Sequence, residues 1–114
     1  MSIGFMLAFI TFTAGDGITG RWESKPSVNG NVTGVVFKND YSFEGYVNKK
    51  PFVSGTYQFD NNILSFVDNG CEGRRGIYRI DFFSDGDSLR FVPVTDSCED
   101  RKQGMGRLVM GRVK

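Results

Sequence analysis

The chain of 114 residues contains no histidine. That removes a Ser-His-Asp or Cys-His relay, an imidazole-ligated zinc and a proximal-histidine haem from consideration. The side chains left that could do chemistry are two cysteines, Cys71 and Cys98, and a scatter of carboxylates. The cysteines do not form a C-x-x-C redox pair. Glu23, Glu44 and Asp81 stand among charged neighbours on strand-like stretches. Solvated outer faces account for them better than a catalytic acid–base pair does. Asp96, Glu99 and Asp100 crowd around Cys98 and raise the idea of calcium, but the spaced ligands and central glycine of an EF-hand loop are missing. Arg101 and Lys102 follow at once, so a salt-bridged loop beside the cysteine is the better expectation. Neither an enzymatic activity nor a metal or cofactor is expected.

The charge balance narrows the partners. Fourteen Lys and Arg face thirteen Asp and Glu, a formal net charge of +1. Nucleic acid is not expected as a partner, since it calls for a clustered basic surface. The basic pairs Lys49-Lys50 and Arg74-Arg75 fall in turns, where they keep strand ends soluble. Asn31-Val32-Thr33 matches a glycosylation sequon, which matters only in a eukaryotic secretory pathway.

Two features point to export. Ile3–Phe12 is an apolar run followed by Thr13-Ala14-Gly15. It is shorter than the about 20 residues that span a bilayer, so no transmembrane span is expected. Its length and the small residues after it fit a signal-peptide remnant, although no Lys or Arg precedes it. A short segment packed on the domain is the alternative. The chain therefore divides into residues 1–16, this apolar segment, and residues 17–114, one folded domain. Two cysteines in a small exported chain read as one disulfide, Cys71–Cys98, with two buried thiols as the alternative. The expected location is secreted, periplasmic or associated with the cell envelope.

The elements that must position these residues are strands. Gly is 15 of 114 residues, Phe is 11, and aromatics make up 14% of the chain. Glycine suits tight turns and aromatics suit a pleated, half-buried surface. Eight strands are predicted: 18–24, 32–38, 41–47, 52–59, 63–68, 75–83, 88–94 and 105–113, with 96–104 as a loop. Asn, Asp and Gly punctuate the breaks. No stretch holds a sustained helical period, so no βαβ unit is expected. The fold class is all-β, an eight-stranded antiparallel up-and-down β-barrel, whose closure removes both sheet edges.

Alternation turns Tyr41, Phe43, Gly45 and Val47 inward on the third strand, and Val53, Gly55, Tyr57 and Phe59 on the fourth. Tyr78, Ile80, Phe82, Leu89 and Phe91 follow on the sixth and seventh, and Pro93 calls for a bulge or an end. An eight-stranded barrel is filled by its side chains or holds one small ligand. Both outcomes stand. In the second, Tyr41, Phe43, Tyr57, Tyr78 and Phe91 line a pocket for a small hydrophobic ligand.

Gly20-Arg21-Trp22 on the first strand resembles the G-x-W signature of lipocalins and related calycin barrels. The resemblance implies that Trp22 plugs the closed end, with Gly20 beside it, and that Arg107 or Arg112 from the last strand lies across the indole. Cys71, Gly76-Ile77-Tyr78, Leu89-Arg90-Phe91 and Asp96-Ser97-Cys98-Glu99-Asp100-Arg101 together resemble small secreted bacterial lipocalin-like proteins. The chain is shorter than full lipocalins and lacks a helix after the barrel. Avidin-like biotin walls need several tryptophans, and Trp22 is the only one. The function implied is binding of a small apolar ligand. The alternative is a filled barrel acting as a structural or interaction protein, for example a protease-inhibitor-like or envelope-associated module.

Overall fold

Turn residues cut the chain into short strands that are each too narrow to be stable alone, so they pair around a shared interior. A computed structural model describes residues 17–114. The apolar run Ile3–Phe12 and the small residues 13–15 lie outside the described residues. The strands are β1 (Gly20–Ser24), β2 (Thr33–Phe37), β3 (Ser42–Val47), β4 (Lys50–Asp60), β5 (Ile63–Asp68), β6 (Gly76–Phe83), β7 (Ser88–Asp96) and β8 (Val109–Val113). Each pairs antiparallel with its neighbour in sequence, and β1 closes on β8. The result is the expected eight-stranded up-and-down barrel.

Hairpin geometry follows local chemistry. Asn48-Lys49 and Asn61-Asn62 take positive φ at both positions, between 51° and 69°. Two-residue hairpin turns need this backbone because it matches the twist of the flanking strands. Tyr41 also takes a left-handed backbone, at φ 68°. It belongs to the β2–β3 turn, where the Asp40 carboxylate accepts from the Ser42 amide and hydroxyl.

Three expectations need correction. Residues 96–104 are not a plain loop, and the last strand does not begin at Met105. An α-helix, α1 (Glu99–Gly106), occupies that stretch, and β8 starts at Val109. The helix has no buried residue and no apolar stripe, so it leaves no periodic trace in the sequence. Second, Tyr41 does not face the interior; its side chain is 52% exposed. Third, Tyr46 faces outward yet is 8% exposed. Its neighbour across the strand pair is Gly34, and the ring lies over that glycine. Its hydroxyl donates to Glu23 Oε2 at 2.7 Å, and Arg21 stands 5.5 Å from the ring centre.

Both bulges occur at the same end of the barrel. Gly45 pairs with Val53 and Tyr46 with Pro51, leaving Phe52 as the extra residue. Ile77 pairs with Thr95 and Tyr78 with Pro93, leaving Val94 over. Pro93 has no amide hydrogen to give the ladder, which places the second bulge there.

The Gly34–Tyr46 contact yields a test. A Cβ at position 34 would lie 2.2 Å from the Tyr46 ring, so Gly34→Ala must displace the ring. Urea unfolding should show a loss of about 1–3 kcal/mol, the usual cost of overpacking. In a Tyr46→Ser background the same substitution should cost much less. Equal costs in both backgrounds would show that the ring is not what fills the space over Gly34.

Candidate functional site

The expected ligand pocket is the barrel interior. Phe43, Tyr57, Tyr78 and Phe91 are all buried there, as are Phe37, Phe59, Leu64, Phe66, Ile80 and Leu89. The rings are one another's neighbours. Phe91 meets Tyr78, Tyr78 stacks on Phe66, Phe66 takes Phe43 edge-on, and Phe43 meets Phe37. Phe37 then contacts Tyr57 at 5.0 Å between ring centres, and Tyr57 contacts Tyr41. Aromatic pairs at such separations add about 0.5–1.5 kcal/mol each beyond simple burial.

The five expected residues do not surround one mouth. Tyr41 and the Tyr57 hydroxyl, which donates to the Lys38 carbonyl at 2.7 Å, belong to the end with the β2–β3 turn. Tyr78 sends its hydroxyl to the opposite end, where it donates to Asp96 Oδ2.

The β2–β3 end is closed by Trp22, which is fully buried and donates from Nε1 to the Ile18 carbonyl at 2.8 Å. Arg112 pairs with Trp22 across the β1–β8 seam, and its guanidinium sits 4.2 Å from the indole centre. Such a contact contributes about 0.5–2 kcal/mol. The same guanidinium donates to the carbonyls of Thr19 and Gly17, both at 3.1 Å. Gly20 takes φ 124°, a backbone that L side chains rarely adopt, and a Cβ there would lie 3.3 Å from Arg112 Nη1. Of the two arginines in question, Arg112 is therefore the one on Trp22. Arg107 follows α1 at the other end of the barrel and is exposed.

The second closure was only partly legible. Cys71 and Cys98 form a disulfide with Cα atoms 5.8 Å apart. Closing this loop contributes about 3–4 kcal/mol on the chain-entropy argument. The bond ties the β5–β6 connection to the start of α1. Arg101 of α1 then reaches back over the interior, with its guanidinium 4.9 Å from the Phe66 ring centre. It grips Asp96 with two bonds of 2.8 Å, from Nε to Oδ2 and from Nη2 to Oδ1. It also reaches Asp68 at 3.2 Å and the Arg74 carbonyl at 2.8 Å. The Cys98 amide donates to Asp96 Oδ1 at 2.9 Å. The D-x-C-x-x-R spacing signalled Asp96 and Arg101, whereas nothing local marked Asp68 as their partner.

Burial alone would raise the Asp96 pKa. Hydrogen bonds from Arg101, Tyr78 and the Cys98 amide outweigh it and hold the carboxyl at about 2. The Tyr78 hydroxyl is pushed well above its ordinary value, first by burial and then by the carboxylate that it donates to. Burial also raises Tyr57. The Asp96 hydrogen bonds raise Arg101. This arrangement keeps a carboxylate charged and a phenol protonated. It holds structure in place and presents no group poised to exchange a proton near neutral pH.

Among the described residues the outer surface carries concavities, two of them sizeable. One of about 450 Å³ lies at the Trp22 end, lined by Gly17, Phe82, Asp85, Gly86, Asp87 and Arg112. The other, about 290 Å³, is lined by Glu23, Val32, Tyr46, Asn48 and Lys49. Neither is lined by Tyr41, Phe43, Tyr57, Tyr78 or Phe91. Among the described residues no group of three Cys, Asp or Glu side chains is arranged to hold a metal ion, and no helix is long and apolar enough to cross a membrane.

The Asp96 pair predicts an acid-sensitive stability. The carboxyl sits at about 2 in the folded chain against an ordinary 3.8, so the unfolded chain binds the extra proton as pH falls. The gap is worth about 2 kcal/mol, present above about pH 4 and lost as pH drops through 2. Asp96→Asn should remove this slope from unfolding free energies measured between pH 4 and 2. An unchanged slope would assign the acid response to other carboxylates.

No family model, curated protein or solved structure matches the chain.

Proposed function

We propose that the chain is an exported calycin-like barrel that acts as an interaction module through its outer surface, with an interior built for rigidity. The observation that carries this is the ring-on-ring filling of the interior, from Phe91 through Tyr78, Phe66, Phe43 and Phe37 to Tyr57. A side chain whose neighbours are other side chains leaves no wall for a ligand. The disulfide supports export, since such bonds persist in oxidising compartments. The G-x-W strand with its arginine over the indole supports kinship with lipocalin-like barrels. No residue is assigned a catalytic role.

A second reading, carriage of a small apolar molecule, draws support from the concavity at the Trp22 end. Its volume of about 450 Å³ lies within the range of ligand pockets. Among the described residues Phe82 is the one ring in its lining, which is little apolar wall for such a molecule.

Native mass spectrometry of the protein purified from its own source separates the two. The interaction reading expects the mass of the chain alone. A bound small molecule, displaced by solvent extraction and lost on Phe82→Asp, would establish the second reading in its place. Trp22 gives a parallel check. A plugged barrel should show blue-shifted tryptophan emission that iodide barely quenches, and strong quenching would contradict the closed interior.

A further inference from the structure

The filled barrel must recognise its partner from outside, and its two ends differ. At the end that carries α1, both strand bulges push an apolar residue into solvent. Phe52 is 76% exposed and Val94 is 58% exposed, each the extra residue of its bulge. Bulges re-aim side chains in this way. Val28, in the β1–β2 loop of the same end, is fully exposed. These three side chains stand on separate elements of the same end, the β1–β2 loop, β4 and β7.

Cations stand between them. Lys25, Lys49, Lys50, Arg75 and Arg107 all belong to this end, and none forms a salt bridge among the described residues. The acids here are largely engaged. Glu72 pairs with Arg74, Glu99 pairs with Lys102, and Asp68 and Asp96 are held by Arg101, leaving Asp100 and Glu23, which accepts from the Tyr46 hydroxyl and lines a concavity with Lys49. At the Trp22 end the charges come close to balance: Asp40, Asp60, Asp85 and Asp87 stand with Arg21, Lys38, Arg112 and Lys114. The loops that carry the cations are braced. Asn48 accepts from the Val32 amide at 2.8 Å and donates to Asn31 at 2.9 Å, joining the β1–β2 loop to the β3–β4 hairpin. Asn69 joins that hairpin to the β5–β6 connection by bonding Ser54 in both directions.

We propose that the α1 end of the barrel docks on an anionic lipid surface, with Phe52, Val28 and Val94 entering the headgroup layer and the surrounding lysines and arginines meeting lipid phosphates. This rests on the filled-barrel reading, because it gives the outer surface the task of recognition. Interfacial binding combines buried apolar area with electrostatic attraction to anionic lipid. An acidic protein partner would use the cations but would leave the exposed Val28 and Phe52 without a role.

The test uses the full chain and vesicle sedimentation. Vesicles of phosphatidylcholine alone are compared with vesicles that also contain phosphatidylglycerol, at low and high salt. Binding is expected only with phosphatidylglycerol and should weaken as salt screens the charges. Each lysine neutralised should weaken it about fivefold, so Lys49→Glu with Lys50→Glu should nearly abolish it. Phe52→Ser should weaken it without changing the salt response. Lys38→Glu with Lys114→Glu makes the same charge change at the other end and should leave binding unchanged. The run Ile3–Phe12 is common to all variants, so the comparison isolates the rim. Melting temperatures confirm that each variant folds. Several outcomes overturn the proposal: no binding to anionic vesicles, equal binding to neutral ones, equal loss in both charge-reversed variants, or capture by polyglutamate but not by vesicles. A retained ligand mass would overturn the filled-barrel reading by itself and is read on the unmodified protein without vesicles.

Discussion

The buried contact between Arg101 and Asp96 organises the end of the barrel at which the chain has most to tie together. The Asp96 side chain is out of reach of water and Arg101 nearly so. Taking two charges out of water costs several kcal/mol per ion, and the attraction repays it only with good geometry and further hydrogen bonds. Both conditions hold. The guanidinium binds both carboxylate oxygens, and the remaining acceptor capacity goes to the Tyr78 hydroxyl and the Cys98 amide. Asp68 from β5 and the Arg74 carbonyl use the other nitrogens. One arginine therefore holds β5, β6, β7, the disulfide loop and α1 in a single arrangement. Removing either partner would strand a buried charge, at about 3–5 kcal/mol.

The two ends repeat one device. Arg112 lies over Trp22 and Arg101 over Phe66, each satisfied by oxygens from neighbouring elements. A guanidinium suits this position because it is flat enough to stack on a ring and still donates in its plane. Between these lids the aromatic rings fill the bore. With interior and ends committed to packing, what varies around the molecule is the outer surface, and there the α1 end carries the most exposed apolar side chains, Val28, Phe52 and Val94.

The barrel was legible because its strands alternate and its turns carry Asn, Asp and Gly at the breaks. Trp22 was legible from the glycine two residues before it. Which arginine covers it was not, since that depends on the register that sets Arg112 opposite Trp22. Helix α1 was hidden for a physical reason: a helix held by the ion pair of Arg101, a disulfide and the single core contact of Met105 needs no apolar stripe. Tyr46 was hidden by a different one. Its burial comes from a glycine on the adjacent strand, a non-local relation that alternation along β3 alone cannot reveal. Phe52 was legible as an outward residue from the alternation of its strand, and the disturbance at Pro93 from the missing amide hydrogen; that Phe52 is the extra residue of a bulge was not, since that depends on the register against β3. The ring-to-ring contacts of the interior were equally non-local, so composition left a filled core and a lined pocket as equals.

The seam between β1 and β8 also bears on how the molecule forms. Arg21 pairs with Val113 and Trp22 with Arg112, partners separated by most of the described chain. Seven strands can meander into a curled sheet as they emerge, but that sheet keeps two open edges until the eighth arrives. The loop closed by this last step is the longest among the described strand pairings, and its entropy must be overcome before the seam returns any hydrogen bonds. Trp22 has no guanidinium above it until then. Closure of the wall and stacking of Arg112 on the indole thus become one late event, completed by the last strand of the barrel.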